Sequence, residues 1–191
     1  MAEVYLTLDL ATKTGFALWE PGSSPKLGTF TMPSVNGQIG RSLNKFKGWL
    51  IPFMRTAGVT HVMYESAYLK PSTVKRDAKG NSKFVNGTSQ DVARVLFAIG
   101  GYVEEVCYEL ELRCFECNVS SWRTHLIGNN PKRVDAHILT KQELQARGIP
   151  FNGQDQADAM GLMIYMAHKL KLEPDWPVGK HRDTVFARKA S

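Results

Sequence analysis

The alternation of apolar and polar positions divides the chain into short strands and longer amphipathic helices. VYLTLDL (4–10) and GFALWE (15–20) are apolar-rich runs joined by Thr12, Lys13, Thr14 and Gly15, which reads as two strands with a tight connection. KLGTFTM (26–32) adds a third strand to the same antiparallel meander. The period then changes. Ile39, Leu43, Phe46, Leu50 and Phe53 fall on one helical face, with Pro52 expected to end or kink that helix and Gly58 to close it. THVMYE (60–65) is a short apolar strand that ends in a carboxylate. Residues 66–88, rich in Lys, Ser, Asn, Gly and Pro, read as a long loop. A helix follows, with Val92, Val95, Leu96, Ile99, Tyr102, Val103, Val106 and Leu110 along its apolar stripe. Gly100 and Gly101 lie inside it at a cost of up to about 1 kcal/mol each, which predicts close packing against a neighbour. LRCFECNV (112–119) is the next strand. The polar, basic stretch SSWRTHLIGNNPKR then leads to a helix from Val134 to Arg147, and DQADAMGLMIYMAHKLK (155–171) is the last helix. Three strands, a helix, a strand, a helix, a strand and then helices predict an α/β fold. Its mixed sheet starts antiparallel and continues with parallel strands.

The 191 residues suffice for one domain with a core of its own, read here as 1–170, followed by a basic, flexible tail at 171–191. Charge sharpens that division. The net charge is +6, and it is concentrated. Residues 66–88 carry Lys70, Lys75, Arg76, Lys79 and Lys83 against Asp77 alone, and residues 169–191 carry six Lys and Arg against three acids. Two basic segments on a nearly neutral body suit a polyanionic partner. Three cysteines, Cys107, Cys114 and Cys117, are too few for a disulfide framework and suggest a reducing cytoplasm. CFEC at 114–117 has no second cysteine pair to complete a zinc site and reads as strand. The N-terminus has neither the basic start nor the cleavage site of a signal peptide, and no apolar run reaches membrane-helix length, so no membrane association is expected.

Four carboxylates stand where a core would exclude them. Asp9 ends the first strand and Glu65 the fourth; if those strands are adjacent and parallel, both face one crevice. Asp155 and Asp158, three residues apart near the start of the last helix, share a face. A helix start by itself accounts for Asp155 as a cap. Asp158, set in QADAMGLMIYMA, has only apolar surroundings to expect. Converging buried carboxylates repel unless cations compensate them. Hard oxygen ligands favour Mg²⁺ or Mn²⁺, and two such ions ~3.5–4 Å apart activate water and stabilise the leaving oxygen of a phosphodiester. Basic segments around an acidic cluster then divide the work into holding a phosphate backbone and cutting it.

Asp9 in LDLATKTGFAL, Glu65 in VMYES and the pair in DQADAMGL resemble the acidic constellation of the RuvC family of Holliday-junction resolvases, which has an RNase H-like fold. WRTHLIGNNPKRVDAH is similar to the family's segment before the penultimate helix. The resemblance covers about residues 4–168 in order of elements. It implies a homodimer that nicks a four-way DNA junction symmetrically with Mg²⁺, with Asp9, Glu65, Asp155 and Asp158 as metal ligands. Arg123 and Lys132 match the neighbourhood of basic residues that meet the scissile strand, and Lys13 and Arg133 join the DNA-contacting candidates. The Asp9-Leu10-Ala11 sequence, in place of the Asp-Pro-Gly of many bacterial members, and the long basic loop resemble the phage-borne branch. They leave room for a wider range of branched substrates.

Within the loop, Tyr68 and Phe84 are candidates to stack on unpaired bases, with Lys70, Lys75, Arg76, Lys79 and Lys83 on phosphates. The bland alternative is a mobile lid. Trp122, next to Arg123, is expected to be buried, with a contact to DNA as the alternative, and His125 and His137 to be surface or hydrogen-bonded histidines. Two other functions remain open. LDLATKTG resembles the phosphate-binding hairpin of actin-like ATPases, although 191 residues leave no room for the second domain those enzymes need. A noncatalytic DNA-binding module would also explain the basic segments, but it has no use for acids that repel phosphate.

Overall fold

The computed structural model describes residues 3–33, 38–67, 73–76, 82–85, 88 and 90–180; of residues 73–76, 82–85 and 133 the backbone alone is described. Strands β1 (Tyr5–Asp9), β2 (Lys13–Trp19) and β3 (Lys26–Thr31) precede helix α1 (Ile39–Ala57) and strand β4 (His61–Glu65). Strands β5 (Thr73–Arg76) and β6 (Ser82–Val85) are followed by α2 (Gln90–Glu109), β7 (Arg113–Cys117), α3 (Val119–Ile127), α4 (Arg133–Ala146) and α5 (Gln154–Lys169). The main sheet has the order β3-β2-β1-β4-β7, antiparallel from β3 to β1 and parallel from β1 to β7, as the element order predicts. Among the described residues no helix is long and apolar enough to cross a membrane.

The two-residue period of the strands sorts their side chains into two cores. Leu6, Leu8, Val62 and Tyr64 meet α1 and α2 on one face, packing with Phe46, Leu50, Val95, Ile99 and Val103. Tyr5 and Met63 turn to the other face, against Trp122, Leu126, Ala159, Met160 and Met163 of α3 and α5. CFEC is split by the same rule. Cys114 lies with the first core, where its thiol meets Cys107, and Cys117 lies with the second.

Helix α1 continues through Pro52 to Ala57, where Gly58 at φ 65° closes it as expected, while three local expectations elsewhere are corrected. Proline's clash falls on the carbonyl four residues back, here that of the exposed Gly48, which can tilt toward water. The 66–88 segment contains an antiparallel ribbon, β5 with β6, in which Lys75 pairs with Lys83 in register. The polar stretch before α4 contains α3, which starts at Asn118, whose side chain accepts from the Ser120 amide, and ends at Gly128 with φ 83°. Its polar residues hid a helix that only its two caps announce. Finally, a methyl group on Gly100 would meet Tyr64 at an ordinary 3.6 Å, and one on Gly101 would meet nothing within 4 Å. Among the described residues the two glycines therefore answer no tight contact.

Of the segment read as a tail, residues 171–180 are packed and residues 181–191 lie outside the described ones. Trp176 is buried edge-on to Trp19. Arg147, paired with Glu143 at 2.9 Å, donates to the carbonyls of Pro177 and Gly179. The His125 ring nitrogen lies 2.9 Å from the Val178 carbonyl. Burial above all, aided by the nearby charges of His168, Arg147 and Lys180, pushes this imidazole down to about 4. The unfolded chain binds that proton near pH 6.5 and the fold only near 4, so His125 contributes stability above pH 6.5 that is lost as the pH falls toward 4, about 3 kcal/mol in all. Urea unfolding of the protein and of His125→Gln across that window checks it. The expected result is a difference between them that narrows as the pH falls; a constant difference refutes the account.

Candidate active site

Asp9 and Glu65 occupy equivalent places at the ends of parallel neighbours, since Leu8 pairs with Tyr64 in the β1–β4 register. Both continue the parity of Tyr5 and Met63, so both turn to the face that α5 covers. Three contacts set how closely α5 approaches that face. The Thr7 hydroxyl donates to the Ala159 carbonyl at 2.7 Å. Gly15, which pairs with Asp9 across β1 and β2, lies so near the Asp155 backbone that a Cβ there would stand 1.9 Å from its carbonyl oxygen. Gly161 receives the Trp122 ring of α3, where a Cβ would be 2.7 Å away. The run Ala157, Asp158, Ala159 and Gly161 thus supplies the small residues that let the first turns of α5 sit against the sheet.

The four carboxylates predicted from the sequence are brought into one field. Asp9 has its carboxyl held well above the usual range, first by desolvation and then by the negative charges of Glu65, Asp158 and Asp155, with Arg123 opposing. The other three acids already engage donors. Glu65 accepts from the Trp122 indole at 2.7 Å, and Asp155 pairs with Lys13 at 2.9 Å. Asp158, buried at 6% exposure, accepts from the Gln154 amide at 2.6 Å, with Arg123 at 3.8 Å and His137 at 3.9 Å. Among the described residues no three His, Cys, Asp or Glu side chains form a ready metal cage. The side chains that would have to turn inward are instead held by Trp122, Lys13 and Gln154.

Two observations make the donor set suitable for a hard divalent cation. Its members are carboxylate oxygens, and Asp9 sits in a surplus of negative charge that Arg123 only partly offsets. The Nε of Arg123 is buried without a hydrogen-bond partner, as is the Oε1 of Gln154. Arg123 also stacks on its neighbour Trp122, its guanidinium carbon 5.1 Å from the ring centre. It is therefore a counter-cation lodged within the acidic cluster.

The basic candidates are dispersed. Lys13 is exposed on the rim beside Asp155, and Lys132 is exposed at the start of α4. Arg133 opens α4, its side chain outside the described residues. Lys75, Arg76, Lys83 and Phe84 lie on the β5–β6 ribbon, whose side chains are likewise not described. Tyr68, Lys70 and Lys79 fall outside the described residues. Sequence reading assigned no role at the acids to Trp122, Gln154 or His137. Trp122 is fully buried as expected, and its bond to Glu65 had no signal in the sequence. Gln154 directly precedes Asp155 and His137 ends the WRTHLIGNNPKRVDAH stretch, but nothing in the sequence couples either to Asp158, and only the α4–α5 packing brings His137 there.

No protein-family model matches the sequence, and no curated protein sequence matches it. Solved structures do. The chain is similar to Thermus thermophilus RuvC with a TM-score of 0.58 at 11% identity, covering 88% of this chain and 96% of the other. It is equally similar, at TM-score 0.58 and 9% identity, to T. thermophilus RuvC in complex with a Holliday junction substrate, covering 93% and 98%. The chain has the RNase H-like fold of these proteins over nearly its whole length.

Proposed function

We propose that the protein is a metal-dependent endonuclease that nicks four-way junctions or other branched DNA. The carrying observation is Asp9, placed by β1 in the joint field of Glu65, Asp155 and Asp158 on a fold similar over 93% of the chain to a RuvC solved in complex with a Holliday junction substrate. Asp9, Glu65, Asp155 and Asp158 would hold Mg²⁺, or Mn²⁺ in its place, as a pair of ions. When bound, these ions supply the Lewis acidity that activates water and stabilises the departing 3′-oxygen. The chain's own groups do the rest. Strand ends keep Asp9 and Glu65 on rigid backbone. Trp122 orients the Glu65 carboxylate by its indole bond. Arg123 compensates the cluster when no other cation is present, and Lys13 steers phosphate to the rim beside Asp155. The β5–β6 ribbon follows in the chain the strand that ends in Glu65, and its paired positions 75 and 83 are both lysine. With Arg76, Lys132 and Arg133 it makes up the backbone-binding group.

The test is cleavage of a labelled synthetic four-way junction, a Y-fork and a linear duplex, with Mg²⁺ and with EDTA. Paired nicks on the junction, lost in EDTA, support resolution; equal cutting of the fork supports a broader debranching nuclease. Absence of cutting with either Mg²⁺ or Mn²⁺, alongside intact DNA binding, would favour a binding module.

The same reading takes the active unit to be a homodimer through α2. Phe97 (59% exposed) and Tyr108 (88% exposed) stand eleven positions apart on one helical face, with Gly101 exposed between them. Gly101 weakens the helix while a Cβ there would meet nothing within 4 Å among the described residues, and a second α2 crossing at that point would use it. Phe97→Glu is expected to weaken self-association about 30-fold or more, the scale of a central aromatic anchor, without altering the circular dichroism spectrum. Sedimentation equilibrium of the two proteins checks it. Unchanged association would remove α2 from the interface.

A further inference from the structure

Helix α3 crosses α5 at Gly161, and its two sides face different environments. Trp122 and Arg123 turn to the carboxylates. Ser121, Thr124 and His125 line a separate cleft of about 460 Å³ whose other wall is Tyr165, His168 and Lys169 of α5, with Lys180 at its edge. Two lysines and two histidines meet there, and the described lining contains no Asp or Glu. His125 and His168 lie ring to ring, with centroids 4.3 Å apart, and the Lys169 ammonium lies 5.6 Å from the Tyr165 ring centre.

A helix C-terminus attracts basic residues by its own dipole, which accounts for His168 and Lys169 in the last turn of α5. It does not account for Lys180, which belongs to no helix yet is held at the same cleft by the segment that Arg147 and His125 tie down. Hydroxyls beside clustered ammonium groups form a donor surface suited to phosphate oxygens. The cleft is also in line with the acids. Asp158, Tyr165 and Lys169 are seven and eleven residues apart and so share one face of α5. At 1.5 Å per residue Lys169 lies about 16 Å along the helix from Asp158, close to five base pairs of duplex.

We infer that this cleft is a second nucleic-acid backbone site, built by Lys169, Lys180, Ser121 and Thr124, that holds the phosphates of a duplex arm leaving the carboxylate cluster. The inference rests on the proposed reading of that cluster and adds a place where the substrate is gripped away from the cut.

Lys169→Gln combined with Lys180→Gln tests it by binding of a labelled four-way junction and a labelled linear duplex in EDTA over a range of salt. Lys26→Gln combined with Lys45→Gln, exposed lysines on β3 and α1, controls for the same loss of net charge. The cleft variant is expected to bind both DNAs roughly tenfold more weakly at low salt. The slope of log affinity against log salt should fall by about 2, one for each lost phosphate contact. The control should keep the wild-type slope. An unchanged slope, an equal fall in the control, or no DNA binding by the wild-type protein overturns the inference. If the wild-type protein binds but never cuts, and the slope still falls only in the cleft variant, the nuclease reading fails and the backbone site stands.

Discussion

Asp9→Asn lowers junction cleavage on the order of 10³-fold or more, the scale of losing a group at the reacting centre, while DNA binding is kept or tightened. The expectation follows from the position of this side chain. Asp9, on the central strand, stands in the field of all three other acids, so it is the ligand that both ions of a pair would share. Asparagine keeps the shape and removes the charge. The substitution also separates a catalytic role from a folding role. Because the native environment holds the Asp9 carboxyl well above its usual range, its ionised form opposes folding at neutral pH. The sign follows from linkage: the folded state binds this proton more tightly than the unfolded chain, so the protein gains stability as the pH falls through the raised value and loses it on the way up. Metal-free Asp9→Asn should therefore melt a few degrees higher than the wild-type protein, about what 1 kcal/mol gives in a domain of this size. Gain in stability together with loss of cleavage is the signature of a site whose strain serves function. A variant that melts lower, or one that still cuts, would remove Asp9 from the centre of the site. Calorimetry in EDTA and a cleavage time course in Mg²⁺ read the two halves.

Gly15→Ala is the second large effect, and it acts through backbone. The added methyl would lie 1.9 Å from the Asp155 carbonyl oxygen and 2.4 Å from its carbonyl carbon, so either α5 or β2 must shift. Neither is free to move. β2 is hydrogen-bonded between β1 and β3, and α5 is pinned by Thr7 and by the Trp122–Gly161 contact. The expected cost is about 3 kcal/mol or more, at the upper end for overpacking because no side chain can rotate away. Gly28→Ala offers the contrast, since there the methyl would meet the ring of Phe16, a side chain able to turn. It should cost clearly less. If Gly15→Ala folds at all, its α5 N-terminus is displaced, and cleavage should fall with Asp155 and Asp158 moved from Asp9. Thermal melts of the two glycine variants, with cleavage at a temperature where both are folded, decide it. A wild-type melting point for Gly15→Ala would refute the close approach.

Asp9, Glu65 and Asp158 stood out because each breaks a local rule, whereas a helix start by itself accounts for Asp155. A strand that climbs through Tyr5, Leu6, Thr7 and Leu8 has no packing reason to end in Asp9, and an apolar helix has none to carry Asp158. The strands, the long helices and the mixed sheet were legible from their periods. Helix α3 was not, because its few apolar residues, Trp122, Leu126 and Ile127, are interrupted by Ser, Arg, Thr and His, which are polar on one side for the sake of the acids and the cleft. The β5–β6 ribbon was hidden by a composition that reads as loop.

What the sequence by itself determined is therefore the strands of the main sheet, the long helices and the parity of their residues. Alternation commits Asp9 and Glu65 to the face of Tyr5 and Met63 whatever lies above it. Only the tertiary structure decided that α5 covers that face, and at what depth. That depends on contacts between residues far apart in the chain: Gly15 with Asp155, Thr7 with Ala159, Gly161 with Trp122. Which basic groups attend each acid was decided at the same level. Lys13, Arg123 and the His137 ring come from β2, α3 and α4, and only the packing of those elements against α5 brings them to Asp155 and Asp158.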